Sequence, residues 1–468
     1  MFGPNALPLF AVLIATTYVT MTYGIARTFV FLFVPVLLFM SMVFKVKIPG
    51  LPDLNAESAL GYGLIAGCLI AFPSRWQELS KVRLNFLDWF ILLMMIPPTI
   101  SVFVNDSAWD AISKTGDLFF RWVLPYFAAR VAFLDPTARR SLLPMICACA
   151  IALGLLAAIE ARLLPYFVTR SMEQLNLARV ANTQVFHRFG LMRAQTSLGH
   201  PIDLGNMGVI LGGLIIVLTP IAGRTFREPL VVAGILASGT MVVGAVSFTG
   251  LTAMTAAFVF LFVFTRPNWG GKLVLPAIIG LICFISFVMN SMLTKSIPEE
   301  RPTDELEASV WIRVRIIQEG WEKATNAGMF GEGQYLSTAG IGTGSIDNAY
   351  ILFVLQYGWG YLAMWLVLAL LIGWYGGRTL AMARLPSERI PIAAVCASLA
   401  ATLLAMYTVY FGFVYAIFFL ILVGILSTMN QLFRYRPPLP VMPVMPPGGL
   451  HYASHDTPNA PLAPGSYR

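Results

Sequence analysis

Apolar runs long enough to cross a bilayer recur from Leu7 to Met429, with only short polar breaks over most of the chain. They lie at Leu7 to Ile25, Thr28 to Phe44, Ala59 to Phe72, Phe86 to Val104, Leu118 to Leu134 and Ser141 to Phe167. After a polar stretch they resume at Pro201 to Ala222, Pro229 to Val246, Thr249 to Phe264 and Leu273 to Met292, and after a second stretch at Asp347 to Tyr375, Ile390 to Tyr410 and Phe413 to Gln431. A helix of about 20 apolar residues crosses a hydrocarbon core of about 30 Å, so the pattern predicts about 12 to 13 spans, the lower number holding if Leu7 to Phe44 is a hairpin that does not fully cross. The expected fold is all-α: one polytopic transmembrane bundle over residues 1–436, with two long polar loops, Val168 to Gly199 and Leu293 to Ile346. The first run lacks a basic region before it and another run follows closely, so it is expected to be retained as a span and not cleaved as a signal peptide.

Composition removes the soluble alternative. Hydrophobic residues make up 57% and charged residues 12% of the 468, whereas soluble domains carry about 25% charge. The net charge of +8 is scattered between apolar runs and not gathered on one basic face, which argues against nucleic acid as a partner. Topology accounts for it better. One set of alternate connections holds Arg75, Lys81 and Arg83; Arg139 and Arg140; Arg224 and Arg227; Arg266 and Lys272; Arg378, Arg384 and Arg389; and Arg434 and Arg436. Cytoplasmic loops keep such an excess, so the two long loops are expected on the opposite, periplasmic side of a bacterial inner membrane. Cys68, Cys147, Cys149, Cys283 and Cys396 all fall inside apolar runs with no CxxC pair, and read as small core residues. The tail at 437–468 carries Pro437, Pro438, Pro440, Pro443, Pro446 and Pro447 and is expected to be a disordered cytoplasmic segment.

Candidate chemistry concentrates in the long loops. The first has Arg170, Arg179, Arg188 and Arg193 against Glu173, a charge of +3 with His187 and His200 neutral. A basic loop on the periplasmic side runs against the insertion trend, and a phosphate-bearing ligand is the simplest reason for one. The second loop begins with Glu299, Glu300, Asp304, Glu305 and Glu307, then shows helical spacing in Val310, Trp311, Val314, Ile317 and Trp321. Arg315 and Glu319 can pair across one turn, while Arg313 points elsewhere. Glycines from Gly328 to Gly333 and at Gly340, Gly342 and Gly344 offer backbone that folds closely around a ligand. Asp347 and Asn348 open the next span, where an aspartate either caps the helix or accepts a proton. Among ionisable groups at membrane depth or close to it, Glu160 and Arg130 suit snorkelling from near the span ends, and Arg121 and Asp203 suit a lined cavity. No HExxH, P-loop or clustered-carboxylate motif occurs, so no metal or other cofactor is expected.

These features together resemble the O-antigen ligase and O-antigen polymerase superfamily, integral membrane glycosyltransferases acting on lipid-diphosphate-linked glycans. The resemblance covers Arg188 to Tyr361. It is carried by Arg193-Ala-Gln-Thr-Ser-Leu-Gly-His-Pro201, two spans meeting at Ser247-Phe-Thr-Gly250, Trp311-Ile-Arg-Val-Arg315, Phe330-Gly-Glu-Gly333 and Asp347-Asn-Ala-Tyr-Ile351. The family's turn commonly reads Ser-Arg-Gly, and Phe248 stands where that arginine would be. Ligases typically carry His-Asn where this chain has Asp347-Asn348, and the Asp-Asn form looks more like polysaccharide polymerases. The resemblance implies metal-independent polymerisation of undecaprenyl-diphosphate-linked repeat units into a surface polysaccharide or exopolysaccharide. It implies Asp347 as base with His200 as the next candidate, and Arg193, Arg313, Arg188 and Arg315 on the diphosphate. Arg121, Asp203 and Asn348 would line the cavity, and the partners would be membrane lipid, the lipid-linked glycan, a chain-length regulator and a flippase. Ligase-type transfer to another acceptor and a polytopic transporter or flippase remain the alternatives.

Overall fold

The computed structural model describes residues 6–40, 45–46, 53–164, 166–174, 187–188, 191–298, 300, 302–333, 346, 348–407 and 413–435. Asp347, Arg179, Gly340, Gly342, Gly344 and the tail at 437–468 therefore lie outside the described residues.

The described chain is almost wholly helical. α1 (Ala6–Tyr23) turns at Gly24 into α2 (Ile25–Thr28), a π-helical turn over Phe29–Phe33, and α3 (Val34–Met40). The antiparallel pair β1 (Lys45–Val46) and β2 (Leu54–Asn55) leads to α4 (Ala56–Ile70) and α5 (Phe72–Leu79). α6 (Phe86–Leu93) and α7 (Ile96–Asn105) follow, then α8 (Ala108–Leu118), a second π-turn over Phe119–Val123, α9 (Leu124–Leu134) and α10 (Pro136–Arg162). α11 (Phe167–Gln174), the hairpin β3 (His187–Arg188) with β4 (Leu191–Met192), and a 3-10 turn at Thr196–Leu198 precede α12 (Pro201–Ile221). The rest are α13 (Pro229–Gly244), α14 (Phe248–Phe264), α15 (Gly270–Leu293), α16 (Glu305–Asn326), α17 (Ala349–Tyr357), α18 (Trp359–Met382), α19 (Pro386–Met406) and α20 (Phe413–Arg434).

Polar residues at the borders of the apolar runs fix the helix starts. Asn55, Asn85, Ser107, Asp135 and Ser247 each accept a backbone N–H of the following first turn, and Pro136, Pro201, Pro229 and Pro386 occupy first positions where no N–H is needed. Eight described helical stretches are long and apolar enough to cross a membrane, or nine if the bent pair α4–α5 counts as one; 25–40, α13 and α14 are shorter apolar helices. This is the profile of a multi-pass membrane protein. α19 and α20 are the most enclosed of these stretches and form the hub, while α1 and α15 face outward along most of their length.

Several run boundaries shift. The run expected from Asp347 to Tyr375 is broken at Gly358, whose φ is 85°, into α17 and α18. The run expected from Leu118 extends back to Ala108, through Asp110, Lys114 and Asp117. Cys147, Cys149 and Cys396 are core residues and Cys68 is half-buried, but Cys283 is exposed on α15, a lateral face that a bilayer would cover.

Two charged residues expected to snorkel do not. Arg130 and Asp88 are both fully buried and paired, with Tyr126 Oη donating to Asp88 Oδ1 at 2.6 Å and Arg130 Nη2 donating to Gln431 Oε1 at 2.7 Å and to Arg83 O at 3.2 Å. Packing of α20 on α9, where Gly424 meets Tyr126 and Arg130, closes the route to water, so the guanidinium is satisfied internally. Glu160 is 1% exposed and is likewise held by partners within the fold, not extended to the surface.

Candidate functional site

The site is assembled around Glu160, in the last turn of α10. Its Oε2 accepts from Thr196 N at 2.7 Å and Gln195 N at 3.0 Å, and its Oε1 from Val168 N at 3.2 Å. Three N–H donors satisfy a carboxylate that has been removed from water. Ala194 N adds a bond to Gly244 O at 2.9 Å and Ser197 Oγ one to Leu38 O at 2.7 Å. The segment before α12 is thereby fastened to α10, α13 and α3. Thr196 holds φ at 50°, a strained value for a residue with a branched side chain, and the Glu160 bond keeps it there.

That fastening positions Arg193. Its Nε donates to Ala245 O at 3.2 Å, and the side chain is half-buried. Burial, then the neighbouring Arg188 and also Arg313, push its pKa down to about 10, against an opposing contribution from Tyr166. It stays cationic at neutral pH, but at an electrostatic cost. Arg188, on β3, lies 5.5 Å over the Phe248 ring, and its Nη2 donates to Ser309 Oγ at 3.4 Å. Arg313 enters from α16 and is half-buried. Arg313 also acts on Tyr407, whose hydroxyl is pushed up to about 12 by burial against the pull of that cation, and which lies 3.0 Å from Met292 Sδ.

Arg188 and Arg193, from the β3–β4 hairpin and the residue that follows it, thus converge with Arg313 of α16; all three are half-buried, and like charges gathered in partial shelter from water are stabilised by an anion placed among them. The N-terminal turns of α12 and α14 meet here, α14 beginning at the Phe248 on which Arg188 stacks. They approach closely because both helices carry glycine at the contact: a Cβ on Gly250 would sit 3.1 Å from Gly205 Cα. Beneath the cluster, a largely apolar cavity of about 640 Å³ runs between α10, α12, α13, α14 and α19. Its lining includes Met192, Gly244 and Val246, the chain neighbours of Arg193 and of the Ala245 carbonyl to which Arg193 is bound.

The other sequence candidates have distinct places. Arg315 pairs with Glu319 at 2.6 Å and lies 4.9 Å from the Trp311 ring, so its charge is used within α16 as the i,i+4 spacing predicts. His200 caps α12, its Nδ1 accepting from Ile202 N at 3.2 Å. Asp203, in the first turn of α12, acts electrostatically on Tyr415 of α20. Arg121 pairs with Asp117 at 2.9 Å and interacts with the buried Glu57 of α4, a second ionisable group separate from the arginine cluster. Asn348 is the N-cap of α17, accepting from Tyr350 N at 3.0 Å and Ile351 N at 3.1 Å, and its Nδ2 donates to Tyr407 O at 2.8 Å. The described part of the glycine-rich stretch is docked on α17: Glu332 N donates to Leu355 O at 2.7 Å and Gly333 N to Gln356 O at 3.1 Å, satisfying carbonyls that a helix end leaves open.

Sequence reasoning missed Tyr407, Tyr166 and Ser309 and the keystone role of Glu160. The only local signal was an acid in the last turn of an otherwise apolar run.

No protein-family model matches this chain, and neither the curated proteins nor the solved structures contain a significant match to it.

Proposed function

We propose that the protein is a bacterial inner-membrane glycosyltransferase that polymerises undecaprenyl-diphosphate-linked oligosaccharide repeat units at the periplasmic face. The observation that carries this reading is the convergence of Arg188, Arg193 and Arg313 above an apolar cavity, a charge pattern that fits a diphosphate with a lipid tail. Arg188, held over Phe248, supplies the cation that the resembling family commonly carries at position 248 itself.

In the proposed reaction, an acceptor sugar hydroxyl attacks the anomeric carbon of the donor glycan. The C–O bond to the diphosphate breaks as the new glycosidic bond forms, and the hydroxyl proton passes to Asp347. Negative charge grows on the departing lipid diphosphate, and the three arginines are placed to stabilise it.

The test is transfer by purified protein from a lipid-linked donor. Arg193→Ala and Arg313→Ala are each expected to insert normally and to lose about 10- to 150-fold in rate, the equivalent of about 1.5 to 3 kcal/mol for a charge-assisted hydrogen bond. Wild-type turnover by either variant removes that residue from the site. The glycan product separates the alternatives: single repeat units in a deletion strain mean a polymerase, and accumulated lipid-linked polymer means a ligase.

The topology of this proposal has 12 or 13 crossings, with 168–199 and 293–346 outside and the C-terminus inside. Cysteines introduced at Arg170 and Glu322 are expected to react with an impermeant thiol reagent in intact cells, while one at Arg227 reacts only after the inner membrane is opened. The reverse pattern inverts the topology and places the arginine cluster in the cytoplasm.

A further inference from the structure

At the end of the bundle away from the arginine cluster, α4 and α5 meet at an elbow of 113°. Pro73, in the first turn of α5, has no N–H to extend the α4 ladder, which ends with Ala71 N bonded to Gly67 O at 3.1 Å. The elbow is locked against the preceding hairpin. Glu78 accepts from Ile25 N at 2.9 Å and pairs with Arg75, and Arg75 Nη2 reaches Met21 O at 3.4 Å. A Cβ on Gly24, where φ is 97°, would collide with both of those side chains.

The apolar residues of α5 fall on one face at i, i+4 and i+7: Phe72, Trp76 and Leu79, which are 53%, 58% and 37% exposed. They form one wall of a groove of about 420 Å³, with Leu69 of α4, Leu92 of α6 and Phe127 of α9 among the other walls. Apart from Arg75, every described residue lining it is apolar. A short helix with an aromatic face beside an open apolar groove is suited to the boundary between headgroups and acyl chains.

The rim is basic. The connection from α5 to α6 carries Lys81 and Arg83, both exposed, and leaves the helix through Val82 N bonded to the carbonyl of Leu79, a groove residue, at 3.0 Å. Its backbone is fixed in place: Gln431 Nε2 donates to Lys81 O at 2.9 Å, and Arg83 N donates to Gln431 Oε1 at 3.2 Å. From Phe72 to Asn85, Arg75, Lys81 and Arg83 stand against Glu78, a net charge of +2.

We infer that this elbow is a binding site for an anionic phospholipid, with an acyl chain in the groove and the headgroup phosphate against Lys81 and Arg83. The groove alone accepts any lipid chain. The positive rim selects the headgroup, as basic pockets between membrane helices do. The site shares no residue with the proposed transfer chemistry.

The full chain is reconstituted in phosphatidylcholine vesicles containing a minor share of phosphatidylglycerol and extracted into mild detergent, and retained lipid is counted by native mass spectrometry. Wild type is expected to hold phosphatidylglycerol well above its share in the vesicle. Lys81→Gln with Arg83→Gln is expected to lose that enrichment by about fivefold per residue, the weight of one basic side chain near an anionic headgroup. Arg224→Gln with Arg227→Gln, an exposed basic pair elsewhere, is expected to keep it. Retention in bulk proportion by wild type overturns the site, and that result needs no variant to fold. Enrichment that survives in the Lys81/Arg83 variant also overturns it, as does equal loss in the Arg224/Arg227 variant, which would show general surface attraction.

Discussion

Replacing Asp88 by alanine is expected to unfold much of the protein. The substitution leaves the Arg130 guanidinium fully buried between α9 and α20 without its carboxylate, and removes the acceptor for Tyr126 Oη. Breaking one side of a buried pair costs about 3 to 5 kcal/mol, a large part of the 5 to 15 kcal/mol by which folded proteins are stable. Asp88 also accepts from Asn85 N at 2.6 Å, closing the capping box of α6, so a further contribution of about 1 kcal/mol is lost. The control is Asp88→Leu with Arg130→Met, which removes both charges and fills the space. It is expected to recover most of the loss, all but the cap and the Tyr126 hydrogen bond, because two well-packed apolar residues replace a buried ion pair at little net cost. The measurement is the thermal melt of detergent-solubilised protein beside its size-exclusion profile. A melt of Asp88→Ala within about 2 °C of wild type, far less than such a loss predicts, would show that the pair does not hold α6, α9 and α20 together.

Helix identity was legible because the apolar runs and their border residues are local. Asn85 and Ser247 stand within two residues of the starts of predicted apolar runs and cap those helices, whereas Ser107 and Asp135 cap helices that begin before the runs expected from Leu118 and Ser141. What sequence does not carry is a partner that folding brings from far along the chain. Asp88 and Arg130 are 42 residues apart, and Glu160 meets two of its donors 35 and 36 residues away, so Arg130 and Glu160 each looked like a charge in search of water, and Asp88 drew no notice at all. The break at Gly358 was hidden for a different reason. The apolar run continues through it, and the sequence shows neither that Gly358 takes a φ of 85° nor that Glu332 and Gly333 dock on the end of α17. For the site, a basic loop pointed to Arg188 and Arg193, and the helical spacing of the second loop singled out Arg313; the structure brings these three into mutual range from β3, the segment after β4, and α16. The Ser247-Phe-Thr-Gly250 turn looked like a missing cation, and stacking of Arg188 on Phe248 shows how a cation from another element reaches the same place.

Under the proposed polymerase reaction, Asp347→Asn is expected to slow chain elongation by about 10² to 10⁴-fold while leaving the fold unchanged. An aspartate at the border of an apolar run is explained from sequence equally well by helix capping and by proton abstraction. The structure gives the cap to the next residue, since Asn348 accepts both Tyr350 N and Ile351 N. Asn348→Ala is therefore the substitution that should lower the melting temperature, by the equivalent of about 1 kcal/mol for a lost cap. Asp347→Asn keeps size and polarity but cannot take a proton from an attacking hydroxyl at neutral pH. General-base contributions are about 10² to 10⁴-fold, so elongation from a saturating lipid-linked donor should fall by that factor at normal protein level. The two substitutions together form a crossed test, one expected to move stability and the other to move the rate at unchanged stability. If Asp347→Asn elongates within about threefold of wild type, well short of a general-base effect, Asp347 is not the base. The search then moves to His200, whose Nδ1 is occupied by the cap of α12, so that only its Nε2 could serve, and His200→Asn, which can still cap α12, becomes the deciding variant.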